Sequence, residues 1–129
     1  MDTKNPFDRK KFLPLIFWMA VIFILSSVPG KEYPSYDIPH LDKAVHFGLY
    51  GVLGYAAWWA FAAYGQTKDK SASWMAAAAA SVALIYAVSD ELHQLYVPFR
   101  SCDAADLIAD AMGIGAVVGW KYFTFKDAR

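Results

Sequence analysis

Residues 12–28 (FLPLIFWMAVIFILSSV) contain no charged side chain, and three more apolar stretches follow at about 44–63, 74–95 and 104–123. A hydrocarbon core about 30 Å thick is crossed by about 20 residues of helix rising 1.5 Å each. Water-soluble helices set an apolar stripe against a polar face, and these stretches do not, which argues against a soluble bundle. The pattern predicts an all-α fold: one domain over residues 1–129, built as a four-helix transmembrane bundle.

The first stretch also invites a signal-peptide reading, because Lys10 and Lys11 precede it. It is longer than the usual apolar core of a cleaved signal, and Ser27-Val28-Pro29-Gly30 makes a poor small-residue cleavage site. A retained span is therefore expected. Pro14 sits in its first turn, where a missing N–H is harmless, and Pro29-Gly30 ends it. A loop at 29–43 is rich in proline and tyrosine (Pro29, Tyr33, Pro34, Tyr36, Pro39), and 65–73 is a short polar link. Ser101 or Asp103 is the expected N-cap of the last helix. Gly113, Gly115 and Gly119, with the alanine run 76–80, are expected to let helices pack closely.

Charge placement sets the orientation. Alternating spans bring Lys4, Arg9, Lys10, Lys11, Lys68, Lys70, Lys121, Lys126 and Arg129 to one side, nine of the twelve basic residues. Lys31, Lys43 and Arg100 fall on the other. The excess of basic residues predicts both termini in the cytoplasm of a multi-pass protein, and Trp58, Trp59, Trp74, Trp120 and Tyr122 fall at the same interface. Twelve basic and twelve acidic residues cancel, which gives no reason to expect a nucleic-acid partner. The single cysteine, Cys102, excludes an internal disulfide framework.

On this topology the unusual polar residues gather at the extracytoplasmic end. There lie His40, His46 and His93, with Asp42, Lys43, Asp90, Glu91, Gln94, Arg100, Asp103, Asp106 and Asp110. Asp42 and His46 are four apart, as are Asp90 and Gln94, so each pair shares a helix face. Asp103, Asp106 and Asp110 form one stripe, with Asp110 about 10 Å deeper than Asp103. A carboxylate at such depth costs about 2–3 kcal/mol unless a partner or water meets it. For several members a plain structural role competes: a cap for Asp103, headgroup anchoring for Arg100, a loop position for His40, a lipid- or water-facing ring for His93. A buried pair of Asp106 and Asp110 with Arg100 or Lys43 is the bland alternative to a working site.

The motifs Asp42-Lys43-x-x-His46-Phe47, Asp90-Glu91-x-x-Gln94 and Pro98-x-Arg100, with Asp106 six residues on, resemble those of the VanZ-like family in order and spacing over about 29–119. The resemblance implies a protein of the bacterial cytoplasmic membrane, related to proteins linked with low-level resistance to the glycopeptide teicoplanin. It carries over Asp42, Lys43, His46, Asp90, Glu91, Gln94, Arg100, Asp106 and Gly113. One position departs: where the family usually has asparagine, this chain has Asp110.

Three functions fit these residues. An enzyme would act at the outer surface on a phospholipid headgroup or a lipid-linked cell-wall precursor. Asp42, Asp90, Glu91, Gln94, Asp106 and Asp110 are then candidate catalytic groups, His46 or His93 carries a proton, and Lys43 and Arg100 hold the ligand. A divalent cation on the carboxylates, such as magnesium, manganese or calcium, is compatible with this set. A binding or shielding protein for cell-wall precursors or glycopeptides would use the same groups without chemistry. A proton-coupled carrier is the third, disfavoured because four spans show no inverted repeat. Oligomeric state is left open.

Overall fold

The computed structural model describes residues 7–32 and 39–128, and among them the chain is all-helical, with no strand. Four α-helices follow in order: α1 Leu13–Ser26, α2 Leu41–Thr67, α3 Ala72–Gln94 and α4 Ala104–Asp127. Single 3-10 turns at Arg9–Phe12 and Gly30–Glu32 flank α1. Lys4, Tyr33, Pro34, Tyr36, Asp37 and Arg129 lie outside the described residues.

The ends of the helices are written in their capping residues. Pro14 opens α1 without costing a hydrogen bond. The Ser71 hydroxyl accepts from the Trp74 N–H and starts α3, and Asp103 Oδ1 accepts from the Ala105 N–H at 2.8 Å and starts α4. Asp103, one of the two expected caps, is thus the cap. Between α3 and α4 the chain passes Phe99 in the left-handed region (φ 59°). That loop is tied to the end of α1, where the Gly30 N–H donates to the Pro98 carbonyl at 3.0 Å.

α2 is the central element, packed most extensively on α4 and also on α3 and α1. α2 and α4 begin at the same end and run side by side. Backbone approach is closest where a Cβ on Gly113 would stand 2.2 Å from the Phe47 carbonyl oxygen, and one on Gly54 3.2 Å from Ile114 Cα. Gly113 therefore has the packing role expected of it. Gly115 and Gly119 do not, because a Cβ on either meets nothing within 4 Å. Along its middle α3 contributes small apolar residues, with Ala79, Ala83 and Ala87 fully buried, and at its end it buries Asp90, Glu91 and Gln94.

At the opposite end from the α2 and α4 starts, Phe7, Phe12, Phe61, Tyr64 and Trp74 form a run of ring contacts, most of them edge-to-face. The Lys11, Lys70 and Lys121 ammonium groups stand over the rings of Trp59, Trp74 and Trp120. Trp58 departs from the expected interfacial set. It is buried in the core against Phe125, ring to ring at 5.7 Å. Of the described helices, α3 alone is long and apolar enough to cross a membrane on length and composition. α1 has 14 residues, shorter than its apolar stretch, and α2 and α4 carry charges near their starts.

Candidate functional site

The polar end is assembled from two facing stripes. On α2, Lys43 and His46 are three apart and turn towards Asp103, Asp106 and Asp110 at the start of α4, and Tyr50, four further on, turns to α3. Lys43 Nζ donates to Asp42 at 2.8 Å, to Asp103 Oδ2 at 2.7 Å and to Asp106 Oδ1 at 2.6 Å. One turn deeper, His46 Nδ1 lies 2.9 Å from Asp110 Oδ1, while His46 Nε2 faces Asp106 Oδ2 at 3.7 Å, beyond hydrogen-bond reach. Asp110 is wholly buried, with its second oxygen Oδ2 unpartnered.

α3 closes the third side. Tyr50 donates its hydroxyl proton to Asp90 Oδ2 at 2.9 Å, and the Tyr50 ring lies parallel to His46. Glu91, 2 % exposed, accepts the Asp103 backbone N–H on Oε2 at 2.9 Å, so the first residue of the α4 cap is held by α3. Gln94 is buried beside both acids, its amide 3.4 Å from Asp90 and 3.5 Å from Glu91. His46, Glu91 and Asp110 can each offer a donor atom such that the three lie within 4.8 Å of one another.

Not every expected member joins. Asp42 is exposed at the rim and pairs with Lys43; the inward stripe of α2 is Lys43–His46–Tyr50, not Asp42–His46. Arg100 donates to the carbonyls of Val28 and Leu25 and to Gln94 Oε1, which ties it to the end of α1. Both carbonyls lie in or just past the last turn of α1. His93 stacks on Phe23 of α1 at 4.8 Å, on another face of α3, and His40 is an exposed residue at the start of α2. Tyr50 is the member that sequence reasoning missed. Its signal was available: it follows His46 by four, one turn deeper on the same face.

At the rim, the Lys43 ammonium holds the carboxyls of Asp42 and Asp103 below their ordinary value of 3.8, and the three carboxylates in turn push the Lys43 ammonium upwards. For a carboxyl depressed in the folded state, stability is present above its unfolded value and is lost as pH falls through the folded one. Thermal stability in detergent is therefore expected to drop as pH falls below about 4. Asp103→Asn should flatten that acid limb, and an identical limb in the variant would show that the rim pairs do not hold α2 to α4.

Residues 11–126 match the family model described as VanZ/LLP1. No curated protein and no solved structure matches the chain. The family match spans α1 to α4, and with them every side chain of the polar end, so the chain belongs to the VanZ/LLP1 family.

Proposed function

We propose that the protein crosses the bacterial cytoplasmic membrane four times with both termini inside, and that its polar end performs acid–base chemistry on the headgroup of an envelope lipid or lipid-linked cell-wall precursor. The reading of four spans is supported by an inverted distribution of side chains. Ile85, Ile108 and Met112 are 61–69 % exposed while Asp110 and Glu91 are at most 2 % exposed. In water such a surface is penalised at about 25 cal/mol per Å² of apolar area; against lipid tails it is not. The acids that make α4 poorly apolar face inward, and its outer side carries Ile108, Met112, Trp120 and Phe123. The tryptophan–lysine pairs at the far end suit the cytoplasmic interface, where basic residues concentrate.

The observation that carries the chemistry is the His46–Asp110 couple. A buried carboxylate on Nδ1 holds the imidazole in one tautomer and orientation, which leaves Nε2 to take or give a proton. Asp106, beside Nε2, and Lys43, beside Asp106, set the charge there. Family membership links such proteins to glycopeptide resistance, which this reading would place among the consequences of altered envelope lipids.

Purified protein in vesicles doped with phospholipids and a lipid-linked precursor is expected to convert one of them. His46→Gln should lower that turnover at least about 100-fold, the usual share of a general acid–base residue. Equal turnover by His46→Gln would overturn the assignment. Saturable headgroup binding with no product in the wild type would replace catalysis by the shielding role.

A further inference from the structure

We propose that His46, Glu91 and Asp110 form the protein ligands of a divalent transition-metal site, taking zinc or manganese. The three come from α2, α3 and α4, and their donor atoms already lie within 4.8 Å of one another. Donors bound to zinc at about 2.0–2.2 Å sit about 3.3 Å apart. Closing the remaining gap takes side-chain rotation of the order of 1 Å and no movement of the helices.

Two further observations point to a missing positive charge. Asp110 has no exposure, spends one oxygen on His46 and leaves Oδ2 with no hydrogen-bond partner among the described residues. A buried carboxylate oxygen is among the most costly groups to leave unmatched. Asp90 Oδ1, on α3 beside Glu91, is in the same state. Among the described residues Asp90, Glu91, Asp106 and Asp110 are buried, the Lys43 ammonium is shared by Asp42, Asp103 and Asp106, and the His46 imidazole is the basic group that faces Asp110. The inner half of the cluster, His46–Glu91–Asp110, thus sets two buried carboxylates against one imidazole.

The donor set selects the ion. One imidazole nitrogen with two carboxylates suits a borderline cation; calcium and magnesium favour all-oxygen shells. The orienting contacts of a metal site are present as well. Glu91 is held by the Asp103 N–H, and the amide of Gln94 stands beside it. Three protein ligands leave a position for water or a substrate oxygen. The site would also reconcile an anionic cluster with a phosphate-bearing headgroup, which the carboxylates alone would repel. That last consequence rests on the proposed function; the metal site itself does not, and with a metal bound His46 would be a ligand, so that its role as proton carrier belongs to the metal-free protein.

The test uses the full chain in detergent, stripped with chelator and titrated with Zn²⁺, Mn²⁺ and Mg²⁺ in the absence of lipid. One Zn²⁺ or Mn²⁺ per chain is expected, with a raised unfolding temperature, and Co²⁺ in its place should give visible absorption bands. His46→Ala and Asp110→Asn should each weaken binding at least about 100-fold, with Glu91→Gln standing in should either fail to fold. His40→Ala and His93→Ala should bind as the wild type does. No saturable binding, binding indifferent to His46 and Asp110, or a preference for Mg²⁺ would each overturn the proposal. Loss of metal binding with lipid turnover retained would sink this inference alone; metal binding without any turnover would sink only the enzymatic reading.

Discussion

Replacing Lys43 by methionine is expected to destabilise the protein in detergent by about 2 kcal/mol, with arginine at the same position recovering part of the loss. The ammonium lies within 2.8 Å of three carboxylates, two of them on α4, and is the strongest charge bond between the starts of α2 and α4. Removing one partner from a buried ion pair costs about 3–5 kcal/mol, because the other charge stays behind unmatched; exposed pairs are worth about 0–1 kcal/mol. Lys43 sits between these limits, its side chain 26 % exposed and that of Asp106 12 % exposed. Methionine keeps the apolar stem, so the loss isolates the charge. The discriminating measurement is the double variant. If Asp106 is what needs the ammonium, Asp106→Asn in the Lys43→Met background should restore stability, a coupling read directly from a double-mutant cycle. Additive effects, or a Lys43→Met protein that unfolds as the wild type does, would mean that the rim charges are solvated decoration.

That cycle also tests the part of the site that was hardest to read from the chain. Helical spacing placed Asp103, Asp106 and Asp110 on one stripe, and the structure keeps them there, because three- and four-residue steps must share a face. Spacing says nothing about which face of a neighbouring helix answers. On α2 both Asp42–His46 and Lys43–His46 are permitted steps, and the choice was made by where α4 lies, which no local pattern encodes. Tyr50 was passed over for a related reason: a tyrosine in an apolar stretch reads as packing until a buried acid such as Asp90 is found at its hydroxyl. Arg100 went to the end of α1, whose last carbonyls accept from it, a tertiary contact invisible in sequence. Trp58 and Trp59 are adjacent, so on a helix they point about 100° apart; only one of the two stays exposed, and the other went to the core. Asp110, where the chain departs from the pattern it otherwise resembles, proved to be the most deeply buried acid of the cluster.

Between α2 and α4 the largest effect of a single added carbon is expected at Gly113. A Cβ there would stand 2.2 Å from the Phe47 carbonyl oxygen and 3.0 Å from the Gly51 nitrogen, both backbone atoms that no rotamer change can move. Gly113→Ala therefore forces α2 and α4 apart by about 1 Å. Overpacking of this kind costs about 1–3 kcal/mol, and the upper end is expected because a backbone must shift. The consequence reaches the site, since Phe47 follows His46 and Gly113 lies one turn beyond Asp110. A displacement of that size lengthens the 2.9 Å His46–Asp110 contact beyond hydrogen-bond reach. Gly113→Ala should thus lower thermal stability and metal affinity together although it removes no polar group. Gly115 supplies the control on the same helix: its Cβ would meet nothing within 4 Å. Gly115→Ala should be neutral or stabilising by up to about 1 kcal/mol, the helix preference of alanine over glycine. Two variants of identical chemistry, two residues apart, should move in opposite directions, and similar behaviour of the pair would show that the close approach of α2 and α4 is not what aligns His46 with Asp110.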